Sequence, residues 1–280
     1  DLCPAPNGHI LATGYDARGR KQYRYHPQFR MAREADKYDR CAAFGHALPL
    51  LRARLEGDLN RRTLCSERVI AAVVRLLDLA ALRVGNEQYA VANKSFGATT
   101  LRQRHARLSG KTLRLRYVAK GGTKREVAIS DRGLSTLVRR LQDLPGQNLF
   151  QYVEDDGFCA VGSDDVNAYI REAMGDAFSA KHFRTWSASV EAFAFLYDAP
   201  EPPTLKAMLE HVADRLGNTP AIARKAYVHP AMLAAAQTRD EFAAAAGKLP
   251  RATRYLSRYE RGFLTYLEQT PAAAVLLQSA

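Results

Sequence analysis

Leu216-Gly217-Asn218-Thr219-Pro220, with Tyr227 about two helical turns further on, combines residue types that could transfer a phosphoryl group without a metal ion. That chemistry needs an activated side-chain nucleophile, fixed cations for the charge on the phosphorane and an acid for the departing oxygen. Gly217 suits the end of one helix, Thr219 the cap of the next and Pro220 its first position. Asn218 and the amides of a new helix N-terminus then stand where a phosphate oxygen can be held. Taken alone, Tyr227 reads first as a packing aromatic.

Other routes to such chemistry are poorly represented. The chain has no phosphate loop ending in Gly-Lys-Ser or Gly-Lys-Thr, no Gly-x-Ser-x-Gly elbow and no His-Glu-x-x-His helix. Its carboxylate pairs, Asp155-Asp156 and Asp164-Asp165, are adjacent in sequence, so their side chains diverge. The second pair follows Ser163, which speaks for helix capping over a two-metal site. Cys3, Cys41, Cys65 and Cys159 lie far apart with neither zinc nor disulfide spacing, and a reducing, cytoplasmic setting fits them best. No apolar run approaches the roughly 18 residues a membrane span needs, and no signal-peptide pattern opens the chain.

The chain as a whole is of two-domain size. Its 280 residues, 47% hydrophobic and 25% charged, can bury a sizeable core. Lys and Arg number 41 against 29 Asp and Glu, and the resulting net charge of +12 favours a polyanionic partner such as nucleic acid, though a basic surface can also simply be solvated.

The elements that must position these groups can be drawn from pattern. Residues 8 to 26 read as strands and turns, with Tyr23 and Tyr25 on one face and Arg24 on the other. Thirty residues cannot close a sheet domain, and the chain opens on Asp1, so this segment reads as the tail of a β-rich unit. A helix is expected from about Arg30 to Asn60 with a break near Pro49. Arg30, Arg33 and Lys37 share one of its faces, either against phosphates or in solvent. A second helix, capped by Ser66 and closed by Gly85, carries the apolar stripe from Val69 to Leu82 and has Arg83 in its last turn. Residues 94 to 130 read as β: Thr99-Thr100-Leu101, then strands at 113–118 and 126–129 joined by Gly121-Gly122, with Lys120 at the hairpin tip. Helices follow near 132–143, 163–174, 184–197, 205–216 and 220–228, with shorter ones after 230. Phe263, Leu264, Leu267, Val275, Leu276 and Leu277 are expected to pack on the core.

Taken in order, Arg83-Val84-Gly85, Lys120 in its hairpin, Lys181-His182-Phe183-Arg184-Thr185-Trp186, Leu216 to Pro220 and Ala226-Tyr227 resemble the catalytic motifs of type IB DNA topoisomerases, most of all the poxvirus-type and bacterial branch. The stretches from Gly14 to His26 and from Ser95 to Leu101 are similar to the same family, so the resemblance runs from about residue 14 to about residue 232. Each motif is short; their order and spacing make the signal specific. The resemblance implies an α+β fold in which a small β-rich N-terminal domain, residues 1–30 and incomplete, precedes a mainly α-helical catalytic domain, residues 31–280, with an inserted β-hairpin. That fold is related to the catalytic fold of tyrosine recombinases.

The implied reaction is a reversible transesterification. Tyr227 attacks one strand, forms a 3′-phosphotyrosyl bond and releases a 5′-hydroxyl, and the strand is resealed after the duplex swivels, with no ATP, metal or other cofactor. Arg83 and Arg184 would clamp the non-bridging oxygens, and Lys120 would protonate the leaving oxygen. Viral and nuclear members carry His where this chain has Asn218, whose amide can donate a hydrogen bond but cannot exchange a proton. Tyr23, Tyr25 and the Arg30, Arg33, Lys37 face match stretches that lie against DNA in the family, though both tyrosines also suit a sheet core. Lys181 would contact a phosphate or form a salt bridge. The implied partner is double-stranded DNA, gripped in a salt-sensitive clamp by a working monomer with no membrane and no obligate protein partner. The implied location is cytoplasmic, on the nucleoid if the cell is bacterial. Tyrosine recombinases are the nearest rival; they usually carry His at the position of Lys181. A non-catalytic DNA-binding protein is the third reading.

Overall fold

The computed structural model describes residues 2–278 other than Pro4, Pro6, Asn7, Arg18, Arg20 and Asp156. Three of these, Arg18, Arg20 and Asp156, belong to stretches singled out above and lie outside the described residues. Strands β1 (Ile10–Tyr15) and β2 (Lys21–Tyr25) form an antiparallel ribbon with Thr13 opposite Tyr23. The Tyr23 and Tyr25 rings share a face, 6.1 Å apart, and both are exposed, so they are not the core of a sheet.

Helix α1 (Pro27–Leu59) runs unbroken through Pro49, against the break expected there. A proline inside a helix costs about 3 kcal/mol. Leu48, Leu51 and Leu55 around it are fully buried, each worth roughly 1.5–3 kcal/mol, so packing outweighs the defect. One turn earlier, Gly45 leaves room for the indole of Trp186, which presses on the helix where any Cβ would stand.

Helix α2 (Ser66–Ala80) is almost wholly buried. Cys65 occupies its cap position without a side-chain bond, so Ser66 is the first helical residue rather than the cap. Ala81, in the left-handed region at φ 48°, ends the helix well before Gly85, and Arg83 therefore lies in an extended segment beyond the helix. Helix α3 (Glu87–Asn93) follows, capped by the Asn86 side chain. Residues Ala98–Thr100 form a 3-10 turn where a strand was expected. Strands β3 (Ala106–Ser109), β4 (Thr112–Val118) and β5 (Lys124–Ser130) make a three-stranded antiparallel sheet, with Tyr117 opposite Arg125 at the end nearest the hairpin tip.

Beyond the sheet lie α4 (Arg132–Gln142), a hairpin of β6 (Gln151–Glu154) and β7 (Gly157–Ala160) that periodicity missed, and α5 (Ser163–Met174). Asp165 accepts from the amide of Gly162 at 2.8 Å, so this carboxylate does cap its helix. Helix α6 (Ala180–Asp198) begins a turn earlier than expected, and α7 (Leu205–Leu216) and α8 (Pro220–Ala226) follow. The chain then continues through α9 (Pro230–Ala235), α10 (Arg239–Ala246), α11 (Arg258–Glu268) and α12 (Ala273–Gln278). Phe263 and Leu264 are buried as expected and Leu267 and Leu276 pack against the core; Val275 points outward, more than half exposed.

A buried polar network ties α6 into this frame. Arg52 of α1 bonds Asp78 of α2 and Glu260 of α11 at 2.7 Å each, and Trp186 of α6 donates its indole N–H to Glu260 at 3.1 Å. Three helices meet at one guanidinium, and α6 joins them at Glu260 through Trp186, two residues beyond Arg184.

Candidate active site

Arg83 is placed by its backbone. The amides of Ala98 and Thr99 donate to the carbonyls of Arg83 and Val84 at 2.8 and 2.7 Å, and the Thr99 hydroxyl donates again to Val84. Gly97 is required for this close approach, because a Cβ there would sit 2.6 Å from the Arg83 carbonyl oxygen. The stretch from Ser95 to Leu101 is thus a cradle for the arginine rather than a strand.

Arg184 is buried on α6 and spans two helix ends, donating to the carbonyl of Ala81 after α2 and to that of Leu216 at the end of α7, the latter at 3.3 Å. The junction after α7 folds as its residue types dictate. Gly217 is left-handed at φ 61°, the Thr219 hydroxyl accepts from the Ile222 amide at 3.3 Å, and Pro220 opens α8. Asn218 accepts through Oδ1 from Arg83 Nη2 at 3.0 Å, which turns its amide nitrogen the other way. That nitrogen and Arg184 Nε are buried donors with no partner among the described residues.

Tyr227 caps α8 at its C-terminal end, half-buried, with the Arg184 guanidinium 4.6 Å from its ring centroid. Burial pushes its phenol up, but the charges of Arg184 and Arg83 nearby outweigh burial and hold it below the usual tyrosine range. Tyr117 of β4, missed by sequence reasoning, faces the same cations from a deeper position. There burial prevails over Arg125, Arg184 and Arg83, and its phenol stays above the usual range. Two tyrosines share the cationic pocket, and only Tyr227 is made more acidic.

The structure thus brings Arg83, Arg184, Asn218 and Tyr227 together from segments far apart in sequence. The family model for the catalytic core of eukaryotic DNA topoisomerase I matches residues 26–246. DNA topoisomerase 1B of Acanthamoeba polyphaga mimivirus is 31% identical over 252 residues, spanning 85% of this chain and 75% of the viral protein. The chain belongs to the type IB DNA topoisomerases.

In this topoisomerase Lys120 is exposed at the hairpin tip and lines one surface depression with Arg83, Asn86 and Tyr89. Arg125 of β5, unremarkable in the sequence, anchors that hairpin by donating to the carbonyls of Asp214 and Arg215 at 3.1 and 2.6 Å. Its guanidinium fills the space beside Gly217, 2.6 Å from where a Cβ would be.

A continuous surface leads away from the topoisomerase site. Tyr23, Tyr25, Arg30 and Arg33 line adjoining grooves, and Arg33 and Lys37 share the next one with Arg40, Lys181 and His182. Arg30, Arg33 and Lys181 are exposed. His182 turns inward, accepting from the Ser179 amide at 3.0 Å and stacking on Phe44, and Lys37 Nζ donates to the carbonyl of Ala226 at 3.0 Å. Among the described residues no helix is long and apolar enough to cross a membrane.

Proposed function

We propose that this topoisomerase cleaves one strand of duplex DNA with Tyr227 as nucleophile, forming a 3′-phosphotyrosyl bond and freeing a 5′-hydroxyl that later reverses the step. The observation that carries the reading is the gathering of cations beside one phenol: the Arg184 guanidinium lies 4.6 Å from the Tyr227 ring centroid and Arg83, bonded to Asn218 at 3.0 Å, adds its charge, and the same cations would stabilise the charge on the phosphorane. Arg83 and Arg184 bind the non-bridging oxygens in forked geometry. The Asn218 amide and Arg184 Nε, both unmatched among the described residues, add donors at the same phosphate. Guanidiniums thereby do the electrostatic work without ATP or a metal ion. Lys120 protonates the 5′ oxygen. Replacing it with Ala is expected to slow cleavage of ordinary DNA by about 10²–10⁴-fold, and a 5′-sulfur leaving group, which needs little protonation, should restore most of the loss in a single-turnover assay.

Tyr23, Tyr25, Arg30, Arg33 and Lys181 supply the grip on duplex DNA, the tyrosines as exposed aromatics and the cations at phosphates. Residues 1–30 act as part of a β-rich clamp and residues 31–280 as the catalytic domain, of a fold shared with tyrosine recombinases. One chain supplies every named group, which supports a working monomer needing no protein partner, and four cysteines carried as thiols suit the cytoplasm. The test is incubation with supercoiled plasmid in EDTA without ATP, denaturation, and mass mapping of the adduct. A 3′-phosphate on Tyr227 is expected; an adduct on Tyr117, or strand exchange between two sites in place of relaxation, overturns the reading.

A further inference from the structure

Helical spacing groups Lys37 with Arg30 and Arg33, yet its ammonium serves a different neighbour. Nζ donates at 3.0 Å to the carbonyl of Ala226, the peptide that bears the amide of Tyr227, and lies 3.8 Å from the centroid of the Tyr38 ring. That ring meets His229 edge-on at 5.4 Å. The His229 amide donates to Ser189 Oγ at 3.0 Å, and the same hydroxyl lies 3.4 Å from the Tyr227 carbonyl. The peptide before Tyr227 is therefore held by a side chain of α1, and the turn after it, at His229, by a side chain of α6. Tyr227 needs that support, because its own backbone, at φ −133° and ψ −41°, has left the helix.

We infer that Lys37 is a positioning residue for the nucleophile, holding the Ala226–Tyr227 peptide so that the phenol points into the Arg83 and Arg184 pocket. The inference rests on Tyr227 being the nucleophile. Lys37 is half-buried where Arg30 and Arg33 are exposed, and burial lowers its ammonium to about 8 against the opposing pull of Glu34 and Cys41. Displacing a reacting atom by about 1 Å can cost on the order of 10²-fold in rate.

Lys37→Met keeps a side chain of similar length and removes the ammonium, both as donor to the Ala226 carbonyl and as cation over the Tyr38 ring. Single-turnover relaxation of supercoiled plasmid under protein excess should slow by about 10–100-fold. Duplex affinity and its salt dependence, compared between Tyr227→Phe and Tyr227→Phe/Lys37→Met, should stay within about twofold. Lys37→Arg, which can still donate to the Ala226 carbonyl, should recover most of the rate. A saturated rate equal to wild type overturns the inference whatever happens to affinity, and a salt slope reduced by about one would then mark Lys37 as a phosphate contact. No recovery in a folded Lys37→Arg overturns it as well. A Tyr227→Phe protein that still relaxes plasmid sinks the nucleophile and this role together; an inert Tyr227→Phe beside a fast Lys37→Met sinks only the role of Lys37.

Discussion

Tyr227→Phe is expected to abolish plasmid relaxation and covalent attachment to DNA while leaving duplex binding intact. The ring remains, so its contact with the Arg184 guanidinium and the packing of the turn survive; what disappears is the oxygen that the proposed phosphotyrosyl bond requires. The loss should reach the detection limit of a gel assay, about 10⁴-fold or more, because no other phenol near the two arginines is lowered in the same way. Tyr117 is not expected to substitute, since burial holds its phenol above the usual range. Gel-shift affinity equal to wild type together with unchanged relaxation would remove Tyr227 from the chemistry.

Arg184→Ala is the second large effect, with two separable parts. The chemical part is the loss of a fixed guanidinium at the phosphate. Comparable groups contribute about 10³–10⁵-fold in phosphoryl transfer, so single-turnover cleavage should fall by at least 10³. Removing the leading charge that lowers the phenol also leaves burial less opposed, so the rate of the residual reaction should rise toward plateau at higher pH than in the wild type. The structural part is the stranding of the Ala81 and Leu216 carbonyls, worth about 1–3 kcal/mol each, which a thermal melt reads independently. Arg184→Lys distinguishes the two. It keeps the charge, yet a single ammonium cannot span both helix ends and a phosphate oxygen, so little of the rate should return.

The parts of this site that sequence reasoning reached are those in which residue type dictates local backbone. Gly217, Thr219 and Pro220 each act within a few residues of themselves, and their junction folds as their chemistry prescribes. The Gly121-Gly122 hairpin and the arginine of α6 follow for the same reason. Arg83 was misplaced by its secondary structure, because α2 ends on an alanine in the left-handed region, which carries no local signal, whereas Gly85 advertises an end that is not there. Pro49 misled in the opposite direction, since its neighbours are buried by distant partners. Arg125 and Lys37 were out of reach. One is an arginine among several in an alternating strand and the other a member of a basic helical face, and both take their meaning from carbonyls that lie far along the chain.

Arg125 and Gly217 also bear on how this protein can change over generations. The guanidinium occupies the volume a side chain at 217 would need, and the contact it makes joins the hairpin carrying Lys120 to the helix end carrying Asn218. Neither position is free to drift alone: a larger residue at 217 expels the arginine, and a smaller one at 125 leaves the hairpin untethered. The hairpin of Lys120 and the junction of Asn218 should therefore change together: a homologue that has lost one member of the pair should have replaced the other.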